Sequence, residues 1–403
     1  MQRVILVVLC CFSLGFSFVH LNTARIAYFQ ESDFERARKA CLTGIDAGEI
    51  NFELYAILSG SEIGLGNWHE ASKALISALG IDSTATFDWI TEKGGGEQYF
   101  YQAFYFSARE LFDDEQYDEA LDYLDYAQLL DPTDIRTYLL RGAILYKLGK
   151  WEEANDQYQR VIEQDPENPD IHFLIGRALF DSKQFDGSLT YFDNAAKYYT
   201  TKYNRIAMVV FQNVPDIDTA LSHKIMELWV AHQTNELDRL VKENLLFEGG
   251  LDAQRSAIEQ YYTITDNVAR SYYFSGMSHY YLKQDSLALE KLIASLDFNP
   301  NDLDALYFTG EILAKFAQYQ EAVEYFERTT ELNKNDVYAW FYLGVCYTQL
   351  KQYEKAINAY ENNVLVLDPE NINAMTNLAY VYSEIGNTDK SLEYLTRARE
   401  LQE

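Results

Sequence analysis

The stretch Tyr138-Leu-Leu-Arg-Gly-Ala-Ile-Leu-Tyr-Lys-Leu-Gly-Lys-Trp-Glu-Glu-Ala154 decides the fold of this chain. Bulky apolar residues recur at helical spacing around one small residue, Gly142, and a short polar turn leads to an aromatic, two acids and an alanine. The same order returns in Trp340-Phe-Tyr-Leu-Gly-Val-Cys-Tyr-Thr-Gln-Leu-Lys-Gln-Tyr-Glu-Lys-Ala356. Working outward, the alanine recurs at Ala37, Ala71, Ala120, Ala154, Ala288, Ala322 and Ala356, with Ser188 and Ser391 in its place elsewhere. The small residue of the preceding helix is Ser59, Ala108, Gly142, Gly176, Gly276, Gly310, Gly344 or Ala379. It lets two backbones approach, with the alanine serving the same contact. Pro132, Pro166 and Pro300 close three of the units, and Pro369 closes a fourth after a one-residue slip. Proline ends a helix because it has no amide proton to donate. The period is 34 residues, and self-similarity at that period predicts stacked helical hairpins.

These positions together resemble the tetratricopeptide repeat (TPR) family. Matching repeats cover 18–51, 52–85, 101–134, 135–168, 169–202, 269–302, 303–336, 337–371 and 372–403. The resemblance implies an all-α fold, a right-handed superhelical solenoid of stacked helix-turn-helix repeats. The chain then divides into a signal peptide (1–17), N-terminal repeats (18–85), a Gly-rich insertion (86–100), a second run of repeats (101–202), a segment without the signature (203–268) and C-terminal repeats (269–403). In the insertion, Gly94-Gly95-Gly96 reads as a loop with helix resuming near Gln98. In 203–268, Ile217, Leu221, Ile225, Leu228, Leu237, Leu240 and Val241 keep helical spacing. Asp216 and Asp218 suit a helix start, Gly249-Gly250 a helix end, and Asp252 to Thr265 a further helix. Two degenerate repeats and a separate helical linker both fit this pattern.

Composition sets limits on function. The 403 residues are 48% hydrophobic and 15% aromatic with only six prolines, so a buried core is affordable. The formal net charge is −29. Residues 18–134 hold 22 acids against 7 bases, whereas 135–202 are near neutral. Such a field repels nucleic acid and anionic lipid. It is either a solvated surface or an attraction for a basic protein. The acidic run Asp113, Asp114, Glu115, Asp118, Glu119, Asp122 and Asp125 lacks the loop glycine and ligand order of a calcium site and reads as a solvated helix face. Cys41 and Cys346 fall where small apolar residues are buried, so two free thiols are expected.

The N-terminus reads as an export signal. Arg3 is a short basic region, Val4 to Gly15 an apolar core, and Gly15 and Ser17 fit cleavage before Phe18. An uncleaved anchor is the main alternative and would give membrane attachment. A lipoprotein fits less well, because Cys10 follows Leu9 and Cys11 follows Cys10.

In the family that the repeats resemble, first helices line an inner groove. Here those positions are aromatic: Tyr105, Phe106 and Phe112; Tyr146, after Leu139 and Leu140; Phe173 and Phe180; Tyr273, Phe274 and Tyr280; Tyr307 and Phe308; Phe341 and Tyr342. Where peptide-binding relatives carry an asparagine that holds the ligand backbone, only Asn377 keeps it, and apolar residues including Phe106, Phe274, Phe308 and Tyr342 replace it elsewhere. A carboxylate clamp is missing, since Phe341 and Val345 occupy its places. Either the rings pack between helices, or they form an apolar groove with phenolic rims for an amphipathic helix or an extended peptide.

No catalytic constellation, metal spacing or cofactor loop stands out. His20, His69, His172, His223, His232 and His279 fall at unrelated places in the repeat. The resemblance therefore implies a non-enzymatic scaffold or adaptor, without cofactor, that is periplasmic or secreted and binds a protein or peptide partner in envelope assembly or secretion. The alternative is an accessory subunit that regulates or positions an envelope enzyme.

Overall fold

A computed structural model describes residues 19–210 and 250–402, with the isolated positions 224 and 239. The expected signal segment 1–17, and the helix start and all seven apolar positions read in 203–268, lie outside the described residues. Among the described residues there is helix and turn but no strand. The chain falls into two compact units, residues 1–164 and 165–403.

In the first unit, helix Phe52–Leu65 pairs with Trp68–Ile81, Glu97–Asp113 with Tyr117–Leu130, and Ile135–Lys147 with Trp151–Ile162. In the second, Pro169–Asp181 pairs with Phe185–Val210, Leu303–Lys315 with Tyr319–Leu332, and Ile372–Glu384 with Thr388–Glu400. Start signals repeat with the register. The residue before a first helix is Asn51, Asp134, Asn168, Asp302, Asp336 or Asn371, and in each its side chain accepts a hydrogen bond from an amide of the first turn. The turn between helices needs one left-handed residue. Gly66, Gly149 and Gly386 supply it freely, while Glu115, Lys183, Lys283, Ala317 and Lys351 adopt the same positive φ against their intrinsic preference. The turn is thus imposed by the packed hairpin as well as by residue type.

The small residue of each first helix does more than admit a neighbouring backbone. A Cβ added at Gly142 would meet the Tyr158 ring at 2.4 Å, at Gly176 the Phe192 ring at 2.8 Å, at Gly310 the Phe326 ring at 2.9 Å and at Gly344 the Tyr360 ring at 2.6 Å. The ring lies one helical turn beyond the alanine, or Ser188 in the case of Gly176, that the sequence pairs with the glycine. Removing a side chain from one helix therefore makes the socket for a ring of the next.

Two segments differ from their reading in the sequence. Residues 86–92 are not loop, because helix Ser83–Glu92 precedes the glycines. Asp82 caps it by accepting from the Ala85 amide at 2.9 Å, and only Gly95 and Gly96, at positive φ, turn the chain into helix Glu97–Asp113. In the second unit the repeat junctions at 202 and 268 are not breaks. Helix Phe185–Val210 runs through the first and Gly250–Tyr281 through the second, and the two pack against each other. Thr200 stands where other repeats have the closing proline, so nothing stops the helix. The Tyr203 and Tyr261 hydroxyls, 2.9 Å apart, join these extensions.

The one-residue slip before Pro369 is absorbed as a π turn, Tyr360–Val364, between helical segments Tyr353–Ala359 and Leu365–Leu367. It carries Glu361, whose carboxylate accepts from the Tyr382 hydroxyl at 2.6 Å, the Tyr394 hydroxyl at 2.8 Å and Lys390 Nζ at 3.3 Å. Burial pushes the Glu361 carboxyl up, but these three donors outweigh it and hold the group below the ordinary carboxylate range. A depressed folded-state value stabilises the protein above the unfolded value, and that stability is lost as pH falls through the folded one. Glu361→Gln is therefore expected to lower the melting temperature near neutrality. The gap to wild type should close on acidification, as read by thermal melts across the carboxylate range.

Candidate partner-binding face

Every ring named from the sequence is half-buried, but the rings fall into different settings. In the first unit, Tyr105 stacks on Tyr101 with centroids 5.7 Å apart, Phe106 lies 4.7 Å from Trp68, and Phe112 packs on Tyr117 at 5.9 Å. Tyr146 is half-buried in helix Ile135–Lys147. The Arg136 guanidinium sits over both Tyr101 (5.1 Å) and Tyr105 (5.2 Å) while Asp134 grips it at 2.5 Å. Burial pushes the Tyr101 hydroxyl up and keeps it protonated.

The inner face of the 52–85 repeat is already filled. By register, Ala56, Ile57 and Gly60 take the positions of Tyr307, Phe308 and Glu311, and both Ala56 and Ile57 are 0% exposed. The turn after helix Ser83–Glu92 folds over this region. Tyr99 donates its hydroxyl to the Gly60 carbonyl at 3.0 Å, Tyr28 reaches the Gly94 carbonyl at 3.4 Å, and buried Trp89 packs on Tyr28, Phe29 and Phe100. The insertion is thus a built-in occupant of the face where other repeats carry exposed ring edges.

In the second unit, Phe173, Phe180 and Phe274 surround the fully buried Phe192, with Phe274 stacked on it at 5.5 Å. Arg177 covers Phe274 at 4.0 Å and Arg270 covers Phe173 at 4.9 Å. These three rings pack on the core, and two of them, Phe173 and Phe274, also carry an arginine. The rings that follow have a core side and an open side. Phe308 lies 5.2 Å from Tyr280, Tyr307 lies 5.9 Å from Tyr342, Tyr342 stacks on buried Phe326 at 5.7 Å, and Phe341 leans on buried Tyr360 at 5.9 Å. Tyr273 sits edge-on to Phe274 at 5.0 Å. Tyr338, next to them in sequence, is 71% exposed. Burial first, then neighbouring carboxylates and phenols, pushes the Tyr273 and Tyr307 hydroxyls up, so they stay neutral donors. Tyr280 donates to Glu311 at 3.0 Å, and Lys315 joins them, 3.4 Å from Glu311 and 4.3 Å over the Tyr280 ring. Asn377 gives its amide to the Tyr360 hydroxyl at 3.1 Å, so it serves the fold as well as its groove position.

The remaining reactive groups are structural where described. His172 bonds the Pro166 carbonyl and stacks on Tyr198, His279 bonds Gln284, His20 bonds Glu49, and His69 stacks on Tyr123. Cys41 and Cys346 are buried free thiols, both pushed up to about 12 by burial. Among the described residues no cluster of His, Cys, Asp or Glu could hold a metal ion, and no helix is long and apolar enough to cross a membrane. The sequence reading missed the arginine-capped rings. Their signal was legible as Asp134-Ile-Arg136, an arginine two residues after a helix cap.

Residues 142–183 match the family described as TPR repeat, and 337–403 the family described as tetratricopeptide repeat. Residues 278–363 match the family of anaphase-promoting complex (cyclosome) subunit 3. The chain is 24% identical over 206 residues to the TPR repeat-containing protein MJ1428 of Methanocaldococcus jannaschii, across 51% of this chain but only 32% of that protein. Similar solved structures include YrrB, a TPR protein with an unusual peptide-binding site, at 18% identity and a TM-score of 0.43 over 61% of this chain and 92% of that one. Another is PilF of Pseudomonas aeruginosa, at 12% identity and a TM-score of 0.44 over 72% of this chain and 99% of that one.

Proposed function

The chain is a tetratricopeptide-repeat protein, and from that premise we propose that it is an exported scaffold whose second unit binds a protein partner along its first helices. The observation that carries this reading is the run of rings in 269–371. Tyr273, Tyr307, Phe308, Phe341 and Tyr342 each keep part of their surface open in successive repeats. In contrast, Tyr99 of the chain's own insertion bonds the inner face of 52–85, and Phe173 and Phe274 are covered on one side by arginines. Aromatic edges with neutral phenols bury apolar area and donate hydrogen bonds at low entropic cost, which suits an amphipathic helix or extended peptide. The test is capture of partners from the envelope fraction by the wild-type chain and by Phe308→Ala. A partner held equally by both would end the reading.

Export, and with it a role in envelope assembly or secretion, is the second part of the proposal. It rests on the apolar segment Val4 to Gly15 and the small residues Gly15 and Ser17. N-terminal sequencing of the native protein is expected to begin at Phe18, with the protein released without detergent. A sequence starting at Met1, or extraction by detergent alone, would assign the segment as an anchor.

A further inference from the structure

The rings of 269–371 continue from one first helix to the next. Tyr280 meets Phe308 at 5.2 Å and Tyr307 meets Tyr342 at 5.9 Å, each contact crossing between the first helices of successive repeats. Within their own helices Phe308 joins Tyr307 at 5.4 Å and Tyr342 joins Phe341 at 5.7 Å. Tyr273, Tyr307 and Phe341 hold the same place in three successive repeats of 34 residues. Helices in contact lie about 8–10 Å apart, so this ring recurs at about that spacing along the face.

The hydrogen-bonding capacity of the face is one-sided. The Tyr273 hydroxyl has no hydrogen-bond partner among the described residues. Those of Tyr307 and Tyr342 have only each other, which leaves one proton of the pair to give. Tyr338, 71% exposed, adds a further hydroxyl. Glu311 already accepts from Tyr280 at 3.0 Å and pairs with Lys315 at 3.4 Å. An amide in the place of Phe308 or Tyr342 would give and accept at once, as the N–H and C=O of a peptide strand require, and both places hold rings.

These features discriminate between occupants. An ordinary extended strand brings an amide proton at every residue, and the face has no amide side chain in register to pair with it. A helix has its carbonyls bonded internally, so the spare phenol protons would lose water and gain no acceptor. A proline-rich segment carries carbonyls without amide protons, and its backbone makes no internal hydrogen bonds. In the polyproline II form it turns once every three residues, or about 9 Å, which matches the spacing of the rings. Charge adds a second requirement. Residues 269–403 hold 20 acids against 11 bases, exposed Asp304 among them, so the field favours a segment flanked by lysine or arginine.

We propose that the ring face of the second unit takes a proline-rich, basic segment in the polyproline II conformation. Prolines seat against Tyr273, Tyr307 and Phe341, and the phenols of Tyr273 and Tyr342 donate to backbone carbonyls. This rests on the reading of these first helices as the binding face and narrows its occupant to one class. The ligand is already extended when free, so little ordering entropy opposes binding.

The test uses the full chain and a fluorescein-labelled nonaproline with two lysines at each end. Two controls carry the same label and lysines: a glycine–serine peptide of equal length and an amphipathic leucine–lysine helix. Saturable binding of the proline peptide is expected, roughly ten-fold tighter than either control. Tyr273→Phe and Tyr342→Phe keep the ring and remove only the hydroxyl. Each should fold with unchanged circular dichroism and weaken proline binding roughly five-fold, the effect of one lost hydrogen bond. No saturable binding of the proline peptide, binding no tighter than that of the glycine–serine peptide, or binding unchanged in both phenylalanine variants would overturn the proposal. The second of these outcomes would mean charge attraction alone. If the helix is held more tightly and Phe308→Ala releases it, the groove reading stands and the proline ligand falls. If Phe308→Ala leaves the binding of every peptide intact, both fall.

Discussion

Replacing Gly344 by leucine is expected to open the C-terminal repeats while the N-terminal ones stay closed. Even a lone Cβ at this position would come within 2.6 Å of the Tyr360 ring, and that ring is fully buried. A leucine must push helices Val337–Gln349 and Tyr353–Ala359 apart, at a cost of roughly 3 kcal/mol, the upper end for overpacking. In a stack where each repeat touches its neighbours, the damage stays local. Hydrogen exchange should therefore rise in 303–371 and stay unchanged in helix Tyr117–Leu130, which belongs to the other compact unit. Uniform loosening along the chain would contradict stacked repeats. A milder pair sharpens the test. Gly344→Ala should be partly rescued by Tyr360→Leu, because the chain already uses that solution where Leu292 lies over Gly276, 3.0 Å from the site of an added Cβ.

Phe308→Ala and Leu343→Ala are expected to separate binding from folding. Leu343 is 2% exposed and sits in the core of the last repeats, so its alanine variant should lose about 2–5 kcal/mol of stability. Phe308 is half-buried against Tyr280 and Tyr307. Its removal forfeits ring contacts worth about 1–2 kcal/mol at most, and should weaken partner affinity by roughly 1–3 kcal/mol. Such binding rests chiefly on apolar burial, so a large part should survive moderate salt. Denaturation midpoints and affinities of the two variants decide the matter. If Phe308→Ala destabilises as much as Leu343→Ala and leaves affinity intact, these rings are core. The exposed acidic face of 113–125 would then be the surface to examine, with binding that falls steeply as salt rises.

Much of this molecule was readable before folding. The hairpin register follows from Gly142, Trp151 and Ala154 and their copies, because helix period, cap and turn are local properties. The slip before Pro369 was visible as a spacing, though not that it becomes a π turn aiming Glu361 at two phenols. The glycines of 94–96 pointed to a turn. They could not reveal that Ser83–Glu92 ahead of them is helix, because the cap at Asp82 and the burial of Trp89 set that.

The division is sharpest among the aromatics. By itself the sequence determined that rings occupy the first helices at fixed positions, since those positions are set by a repeat of 34 residues. It could not rank them, because Phe274, Phe308 and Tyr342 hold equivalent places in their repeats. Only the tertiary structure decided that Phe274 lies under Arg177 and that Tyr99, from the chain's own insertion, bonds the inner face of 52–85 at Gly60. The physical reason is that a periodic pattern fixes where a side chain leaves the backbone. What covers it comes from another repeat, whose residue at the matching position follows no period.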